Sequence, residues 1–505
     1  MDISVSSTLA DRLASLTAKF DALEERLDAL AENQSLHGEI QLEVVKLLQH
    51  IQGQQVASLE RLNHVAEIQA NTIEEGVSKE DVASLNALIA QEGRQRTLDL
   101  QSLKQTSNVS ARQATAGKLP VRCAFIVHSI PMWDALSDVH AAMLQDERFD
   151  PVVISINSTP LGRGAFEGEP DVSRALDKLG VHHLRFNMED SYAALDILKA
   201  LRPAVIFRQQ QWDACLPPAF HTPELTFARL CLVPYALNLA TSLGDPVTTE
   251  VSAFGYDQAY HRAAWRIFCE TATTQSYYRS FKHSDPDKIV LSGYPKFDRL
   301  LKSAETPEWP IRSRGGKPFR VIWAPHYSLG TNGLGFGVFD KIWDNMVAWA
   351  RESRDIEFVL KPHPALFGQV LRGDGLAHVR KTWTSMPNCA IAEQQYGELF
   401  AASDLMISDG LSFLAEYQLF DKPLIFFDSG HHVAFNALGK MAEAATRRVR
   451  SFDQLKKATL EYKDGKTWEF ETARKTLLNT LLPNRGEAAA SILEAIAAGV
   501  LEDRH

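Results

Sequence analysis

YGELFAASDLMISDGLSFLAEYQLFDKPLIFF, from Tyr396 to Phe427, is the stretch that decides the fold. The apolar runs Leu405–Ser408 and Pro423–Phe427 are each typical of a buried parallel strand. Between them the chain turns at Gly410 into a helix that carries Glu416. A strand, a tight turn and a helix start present backbone N–H groups that suit phosphate. An ordinary strand–helix–strand unit, in which Asp and Ser only cap the helix, is the alternative reading.

Apolar runs alternate with helical patterns through most of the chain. VRCAFIVHS (Val121–Ser129) opens one series of predicted strands, and FRVIWAP (Phe319–Pro325) opens a second. Strands separated by helices form parallel sheets with helices on both faces, so the sequence predicts two doubly wound Rossmann-like domains. The predicted boundaries are 120–300 for the first domain, 301–318 for a connector and 319–505 for the second domain, whose closing helix crosses back to the first.

The N-terminal fifth has a different composition. Residues 1–119 contain no proline, no cysteine and a single aromatic residue of the Phe, Trp and Tyr class, Phe20. Apolar residues there alternate four and three apart, which predicts a heptad coiled coil that self-associates or binds a partner. They are Leu9, Leu13, Leu16, Phe20, Leu23, Leu27 and Leu30. We assign residues 1–105 to this segment and 106–119 to a linker. An amphipathic helix packed on its own domain is the alternative.

Four motifs carry a family resemblance. GYPKFDRL (Gly293–Leu300), VIWAPHYS (Val321–Ser328) and FVLKPHP (Phe358–Pro364) precede the opening stretch in this order. The chain resembles the CDP-glycerol glycerophosphotransferase family, teichoic-acid and capsule polymerases of GT-B fold. The resemblance implies a GT-B architecture, with the nucleotide donor on the second domain and most of the acceptor on the first. It implies a CDP-, CMP- or UDP-linked donor as the substrate and no cofactor.

Polar residues at the predicted strand ends are the candidate site. His326 and His363 each stand beside a proline after an apolar run, where imidazole can bind a diphosphate or transfer a proton. By the resemblance, His363 occupies the position of a donor-phosphate histidine. Asp409 is either catalytic or orients its loop. The predicted catalytic residues are His363, His326 and Asp409, and the predicted donor-binding residues are Lys361, Ser408, Gly410, Ser412 and Glu416, with Glu416 as the ribose acceptor.

The first domain departs from the family. Glycerophosphotransferases of the teichoic type carry a His-Gly motif there, whereas this chain reads VPYALNLAT (Val233–Thr241). The acceptor, and glycerol phosphate itself as the transferred group, are therefore open. Candidates for the acceptor side stand near predicted strand ends, with ordinary polar lining as the alternative. They are His128, Arg208, Gln209, Asp213 and Tyr235.

Composition excludes several other classes. A net charge of −10 without a basic stripe argues against a nucleic-acid enzyme. The five cysteines are scattered and form no disulfide or metal framework, which favours buried thiols in a reducing compartment. No metal motif occurs. No 18-residue apolar run and no signal peptide occur, so we expect a cytoplasmic protein that docks peripherally at the inner face of the membrane.

The sequence therefore predicts a GT-B transferase that moves a sugar or polyol phosphate from a nucleotide donor to an acceptor hydroxyl of a surface glycan, lipid-linked or protein acceptor. A nucleotide-sugar 2-epimerase has the same two-domain architecture and is the nearest enzymatic alternative. A scaffold, in which a coiled coil assembles partners around a degenerate GT-B module, is the non-enzymatic alternative. Dependence of nucleotide turnover on a second substrate separates the transferase from both.

Overall fold

The computed structural model describes residues 79–159, 164–241, 251–282, 285–312, 316–330, 333–393 and 396–502. The heptad segment Leu9–Leu30 lies outside the described residues, so the coiled coil stays a prediction. The chain divides into two compact units, Met1–Thr106 and Ser107–His505. The second unit contains two lobes: we call residues 107–304 the first lobe and residues 319–482 the second lobe.

Helix α1 comprises Lys79–Gln113, so the stretch expected as a linker is helical over most of its length. Composition suggested a linker because small polar residues dominate this stretch. Contacts of its last turns explain the helix: Asn108 Nδ2 donates to Thr226 Oγ1 at 2.8 Å, and Arg229 Nη1 donates to the Arg112 carbonyl at 3.3 Å. Tertiary hydrogen bonds thus stabilise a helix that local composition alone does not favour.

The first lobe contains a parallel sheet of seven described strands in the order β3-β2-β1-β4-β5-β6-β7. The strands are β1 Val121–Val127, β2 Phe149–Ile156, β3 His183–Phe186, β4 Val205–Arg208, β5 Arg229–Leu232, β6 Arg266–Cys269 and β7 Ile289–Leu291. The helices are α2 Ile130–Trp133, α3 Ser137–Leu144, α4 Glu169–Lys178, α5 Ser191–Ala200, α6 Thr222–Leu225, α7 Ala253–Tyr256, α8 Ala259–Ala263, α9 Ala272–Arg279 and α10 Pro295–Ser303.

The second lobe contains a parallel sheet of six described strands in the order β10-β9-β8-β11-β12-β13. The strands are β8 Phe319–Ala324, β9 Ile356–Leu360, β10 Cys389–Ile391, β11 Leu405–Ser408, β12 Leu424–Phe427 and β13 Arg447–Val449. The helices are α11 Phe339–Glu352, α12 Gly373–Thr384, α13 Gly397–Ala402, α14 Phe413–Glu416, α15 Ala437–Ala444, α16 Phe452–Lys463, α17 Glu471–Leu481 and, after the lobe, α18 Ala488–Glu502. Two doubly wound Rossmann-like domains are thus confirmed.

The two lobes share a hydrophobic cluster and several hydrogen bonds. Phe297 and Leu300 of the first lobe belong to the same buried cluster as Leu399 and Phe400 of the second. The Asn436 side chain donates to the Asn238 carbonyl at 2.6 Å, again between lobes. The two lobes therefore meet along a packed interface beside their strand ends.

Helix α18 follows the second lobe in sequence but packs on the first. The carboxylate of Asp298 accepts hydrogen bonds from the N–H groups of Gly486 and Ala488 at 2.8 and 2.9 Å. Farther along, a Cβ at Gly499 would lie 2.6 Å from the Trp265 ring, so only glycine allows this approach. Among the described helices none is long and apolar enough to cross a membrane.

Candidate active site

The candidate site lies at the carboxyl ends of the second-lobe strands. In a doubly wound sheet, ligands bind where the strand order reverses, which here is between β8 and β11. His326 follows β8, His363 follows β9, and Asp409 follows β11 directly. The fold therefore brings together three predicted residues that are up to 83 positions apart, the separation of His326 and Asp409.

Asp409 holds the backbone of the loop after β8. One carboxylate oxygen accepts from the His326 N–H at 2.6 Å and the other from the Val338 N–H at 2.7 Å. The side chain is buried, and burial raises the pKa of Asp409 to about 7, against these two backbone hydrogen bonds. Both oxygens bond to backbone groups, which supports the loop-orienting reading of this residue.

His363 has a defined tautomer. Its Nδ1 accepts a hydrogen bond from the Ala365 N–H at 3.1 Å, so Nε2 carries the ring proton when the imidazole is neutral. Burial, and then the charge of Lys361, lowers the pKa of His363 to about 4. At neutral pH the ring is therefore an uncharged hydrogen-bond donor through Nε2, which is the form that can bind a phosphate oxygen.

His326 lies against His363, with ring centroids 5.1 Å apart. Its Nδ1 and the Ser328 hydroxyl are 2.8 Å apart. Burial, and then the proximity of His363, lowers the pKa of His326 to about 3, so this ring is also neutral. The ring of Tyr327 packs on both histidines, at centroid distances of 4.5 Å from His326 and 4.7 Å from His363.

Each carboxylate oxygen of Glu416 bonds to a side chain, one from each lobe. Lys296 Nζ of the first lobe lies 2.9 Å from one carboxylate oxygen, and the Tyr396 hydroxyl donates to the other at 2.7 Å. Lys361 lies at the same cluster, with its Nζ 5.6 Å from the Tyr396 ring centroid. Burial lowers the pKa of Lys361 to about 8. A carboxylate and two cations thus meet at the lobe interface.

Of the other residues predicted to bind the nucleotide donor, two have a structural role and one has a side chain without such a role. Ser408 is buried, and its hydroxyl donates to the Ala324 carbonyl and accepts from the Gly410 N–H, at 3.3 and 3.1 Å. A Cβ at Gly410 would lie 3.2 Å from the His326 ring. Ser412 is half-buried, and its hydroxyl makes no capping hydrogen bond to an N–H group of helix α14.

The predicted acceptor residues form one cluster at the first-lobe strand ends. Arg208 is fully buried and donates to the Asp213 carboxylate at 2.7 Å. Its guanidinium carbon lies 4.0 Å from the centroid of the Tyr260 ring. His128 follows β1, and its backbone N–H donates to the Gln209 side chain at 2.8 Å. Within the described residues, His128 Nε2 and Arg208 Nη2 have no hydrogen-bond partner. Among the described residues, one guanidinium N–H group and one imidazole nitrogen, which donates or accepts according to its tautomer, are therefore without a partner in this cluster.

The remaining predicted acceptor residue is Tyr235, whose ring meets that of Trp212, next to Asp213 in sequence, at 6.3 Å. Tyr235 follows β5 and is half-buried. Burial, and then the proximity of Tyr327, raises the pKa of Tyr235 to about 12.

Sequence reasoning missed three groups at these strand ends. Lys296 and Tyr396 bond to Glu416, although both lie within quoted motifs and neither was given a role. Glu270 follows the apolar strand β6 and is buried, and its Oε2 has no partner among the described residues. A charged residue directly after an apolar run was the available signal. No group of three or more metal-ligating residues occurs in the described part of the chain.

Comparisons with known proteins agree with the motif order. Residues 253–467 match the family described as CDP-Glycerol:Poly(glycerophosphate) glycerophosphotransferase, and all four motifs lie inside this range. The predicted family resemblance is thereby confirmed, and the match supports a transferase of the glycerophosphotransferase type. No curated protein matches the chain by sequence.

Solved structures share the fold. The wall teichoic acid polymerase TagF with CDPG has a TM-score of 0.52 at 13% identity, over 80% of this chain and 95% of that chain. A putative UDP-N-acetylglucosamine 2-epimerase from Listeria monocytogenes has a TM-score of 0.51 at 13% identity, over 76% and 97%. UDP-GlcNAc 2-epimerase from Neisseria meningitidis has 0.50 at 12%, over 74% and 99%. These TM-scores over most of each chain show a common GT-B-type fold, and at such low identities they show the fold alone.

Proposed function

We propose that this chain, in which residues 253–467 match the glycerophosphotransferase family, transfers a sugar or polyol phosphate from a nucleotide-activated donor to an acceptor hydroxyl of a cell-surface polymer. The observation that carries the proposal is the position of His363. Its proton-bearing Nε2 belongs to a half-buried ring at the strand-order reversal, in contact with His326 and Tyr327.

For a polyol phosphate donor, the acceptor oxygen forms a bond to the transferred phosphorus. The bond from that phosphorus to the bridging oxygen breaks, the nucleoside monophosphate leaves, and the acceptor proton passes to a base. For a sugar donor, the same oxygen bonds to the anomeric carbon, the bond from that carbon to the phosphate oxygen breaks, the nucleotide leaves, and the acceptor proton again passes to a base. In both reactions negative charge develops on the departing phosphate, where fixed donors lower the barrier.

The proposed roles follow from the contacts. His363 Nε2–H and the Ser412 hydroxyl donate to the donor phosphates, and Lys361 adds charge. Asp409 keeps His326 and its loop in place through two backbone hydrogen bonds. Glu416 binds the ribose if a ribose hydroxyl replaces the Tyr396 hydroxyl at its carboxylate. On the acceptor side, His128 and Arg208 present their unpartnered nitrogens, with Asp213 orienting the arginine.

The test is thermal unfolding of the full chain with CDP-, CMP- and UDP-linked donors, together with turnover in the presence of acceptor. Selective binding raises the apparent melting temperature. We expect one nucleotide class to stabilise the protein, and His363→Ala to lower turnover by about 100-fold or more, because the loss of one fixed hydrogen-bond donor to developing phosphate charge costs on that scale. The melting temperature without nucleotide should stay unchanged.

A matched control is His378→Ala, which removes an exposed histidine of helix α12 in the same lobe. Full turnover by His363→Ala would contradict the assignment. Epimerisation of UDP-GlcNAc at C2 without an acceptor would favour the epimerase alternative. No change of the melting temperature with any nucleotide would favour the scaffold.

Two coarser features accompany this function. We propose that the heptad segment within residues 1–105 joins copies of the chain, on the spacing of its leucines. A cytoplasmic location, with docking at the inner face of a membrane, is the further expectation for an enzyme that extends lipid-linked polymers. Cell fractionation would test it, since recovery only outside the cytoplasmic and membrane fractions would contradict it.

A further inference from the structure

Three aromatic side chains lie beyond the carboxyl ends of first-lobe strands. Trp212 follows β4, Tyr235 follows β5, and Phe254 lies on helix α7. The rings of Trp212 and Phe254 are stacked, with centroids 5.1 Å apart and an interplanar angle of 29°. Tyr235 meets Trp212 edge-on at 6.3 Å. We call these three residues the aromatic platform.

The platform is open to solvent, unlike most aromatic side chains of the described chain. Phe254 is 56% exposed, the highest value among the exposed aromatic residues. Trp212 and Tyr235 are half-buried. Leaving a phenyl ring in water forgoes the free energy of burying it, and exposed apolar patches of this kind mark binding surfaces. Packing inside the lobe therefore does not account for Phe254.

The platform continues into the candidate active site. Three residues after Tyr235, the Asn238 carbonyl accepts a hydrogen bond from the Asn436 side chain of the second lobe at 2.6 Å, and the proximity of Tyr327 of that lobe contributes to the raised pKa of Tyr235. The Tyr327 ring in turn packs on His363 at 4.7 Å. A ligand on the platform would therefore lie next to the group proposed to hold the donor phosphate.

We propose that Trp212, Phe254 and Tyr235 form a subsite that binds a pyranose ring of the acceptor. A pyranose has one flat face of C–H groups, which packs on aromatic rings, while its hydroxyls stay in water or reach a neighbouring site. An open-chain polyol phosphate presents no such face. This inference rests on the proposed transferase function and specifies its acceptor as a glycan with sugar rings.

The experiment uses the full chain, with maltotriose, cellotriose and chitotriose as neutral ring-containing probes and glycerol 3-phosphate as the open-chain probe. Binding is measured by saturation-transfer NMR, and CDP and UDP binding by thermal shift in the same samples. We expect a trisaccharide to bind and Phe254→Ala to weaken its binding about tenfold, since one aromatic contact contributes on the order of a tenfold change in affinity. Phe254→Tyr keeps the ring and should retain binding.

The control is Tyr192→Ala, because Tyr192 is 50% exposed on helix α5 and outside the platform. Absence of binding by all three trisaccharides, equal binding by wild type and Phe254→Ala, or an equal loss of nucleotide binding in Phe254→Ala would each overturn the subsite. A nucleotide shift without trisaccharide binding would leave the transferase proposal intact. Trisaccharide binding without any nucleotide shift would instead remove the transferase and retain the subsite.

Discussion

The buried carboxyl of Glu270 contributes to the pH dependence of the free energy of unfolding. Burial raises its pKa from the ordinary 4.5 to about 7. Between these values the unfolded chain has released the proton and the folded chain keeps it, so the free energy of unfolding falls as pH rises and levels off above about 7. In wild type the contribution of Glu270 to the free energy of unfolding decreases between pH 5 and 8, and Glu270→Gln should remove this decrease, which is on the order of 2 to 3 kcal/mol. Denaturant unfolding at several pH values measures it.

The comparison of variant with wild type isolates this carboxyl. Asp409 acts in the same direction and the buried His326 and His363 in the opposite one, but all three are present in both proteins. Asp428→Asn is the control, because the Arg448 and Arg450 side chains help to hold the pKa of Asp428 at about 2, outside the window. Equal slopes for wild type and Glu270→Gln would contradict the burial account.

Helix α15 shows how a secondary-structure element sets the distance between the lobes. A Cβ at Gly439 would lie 1.9 Å from the Leu239 carbonyl oxygen of the first lobe, which is too close for two non-bonded atoms. The lobes must separate locally to accept a methyl group. We expect Gly439→Ala to lower the free energy of unfolding by about 1 to 3 kcal/mol, the usual cost of overpacking. Denaturant unfolding and nucleotide-induced thermal shift together detect the change.

Gly375→Ala in helix α12 is the matched control, because a Cβ there meets nothing within 4 Å. That substitution should be neutral or slightly stabilising, since alanine has the higher helix propensity. If Gly439→Ala were as stable as Gly375→Ala, the lobes would not be in contact through this glycine.

At the scale of the whole molecule, the heptad segment is expected to decide the number of copies. Leu16 and Leu23 occupy equivalent positions seven residues apart in the predicted repeat. Charged side chains at such positions should separate the helices, because burying a carboxylate without a partner is unfavourable. We expect the double variant Leu16→Glu, Leu23→Glu to be monomeric and the wild type oligomeric by light scattering.

Ser15→Glu with Thr17→Glu is the control, since those positions flank the heptad stripe and should tolerate charge. A monomeric wild type would contradict the coiled-coil prediction directly. An oligomer that persists in the double variant would assign association to another surface.

The sequence by itself determined the two doubly wound lobes and the strand ends that carry polar residues. Apolar runs and helical periodicity are local properties, so β8, β9 and β11 were placed within a few residues by pattern alone. His326 and His363 could be proposed as site residues because each stands beside a proline shortly after such a run. The order of the four motifs was likewise readable along the chain, and the match over residues 253–467 agrees with it.

Only the tertiary structure decided which side chains meet. Lys296 pairs with Glu416 across 120 positions, and Trp212, in the loop after β4, stacks on Phe254 of helix α7. The carboxylate of Asp409 bonds to backbone groups rather than facing a ligand. Partner choice between distant residues depends on how elements pack, and no local period encodes it. Side-chain roles at the site therefore required the fold, whereas the location of the site did not, because parallel strands bring their carboxyl ends to one edge.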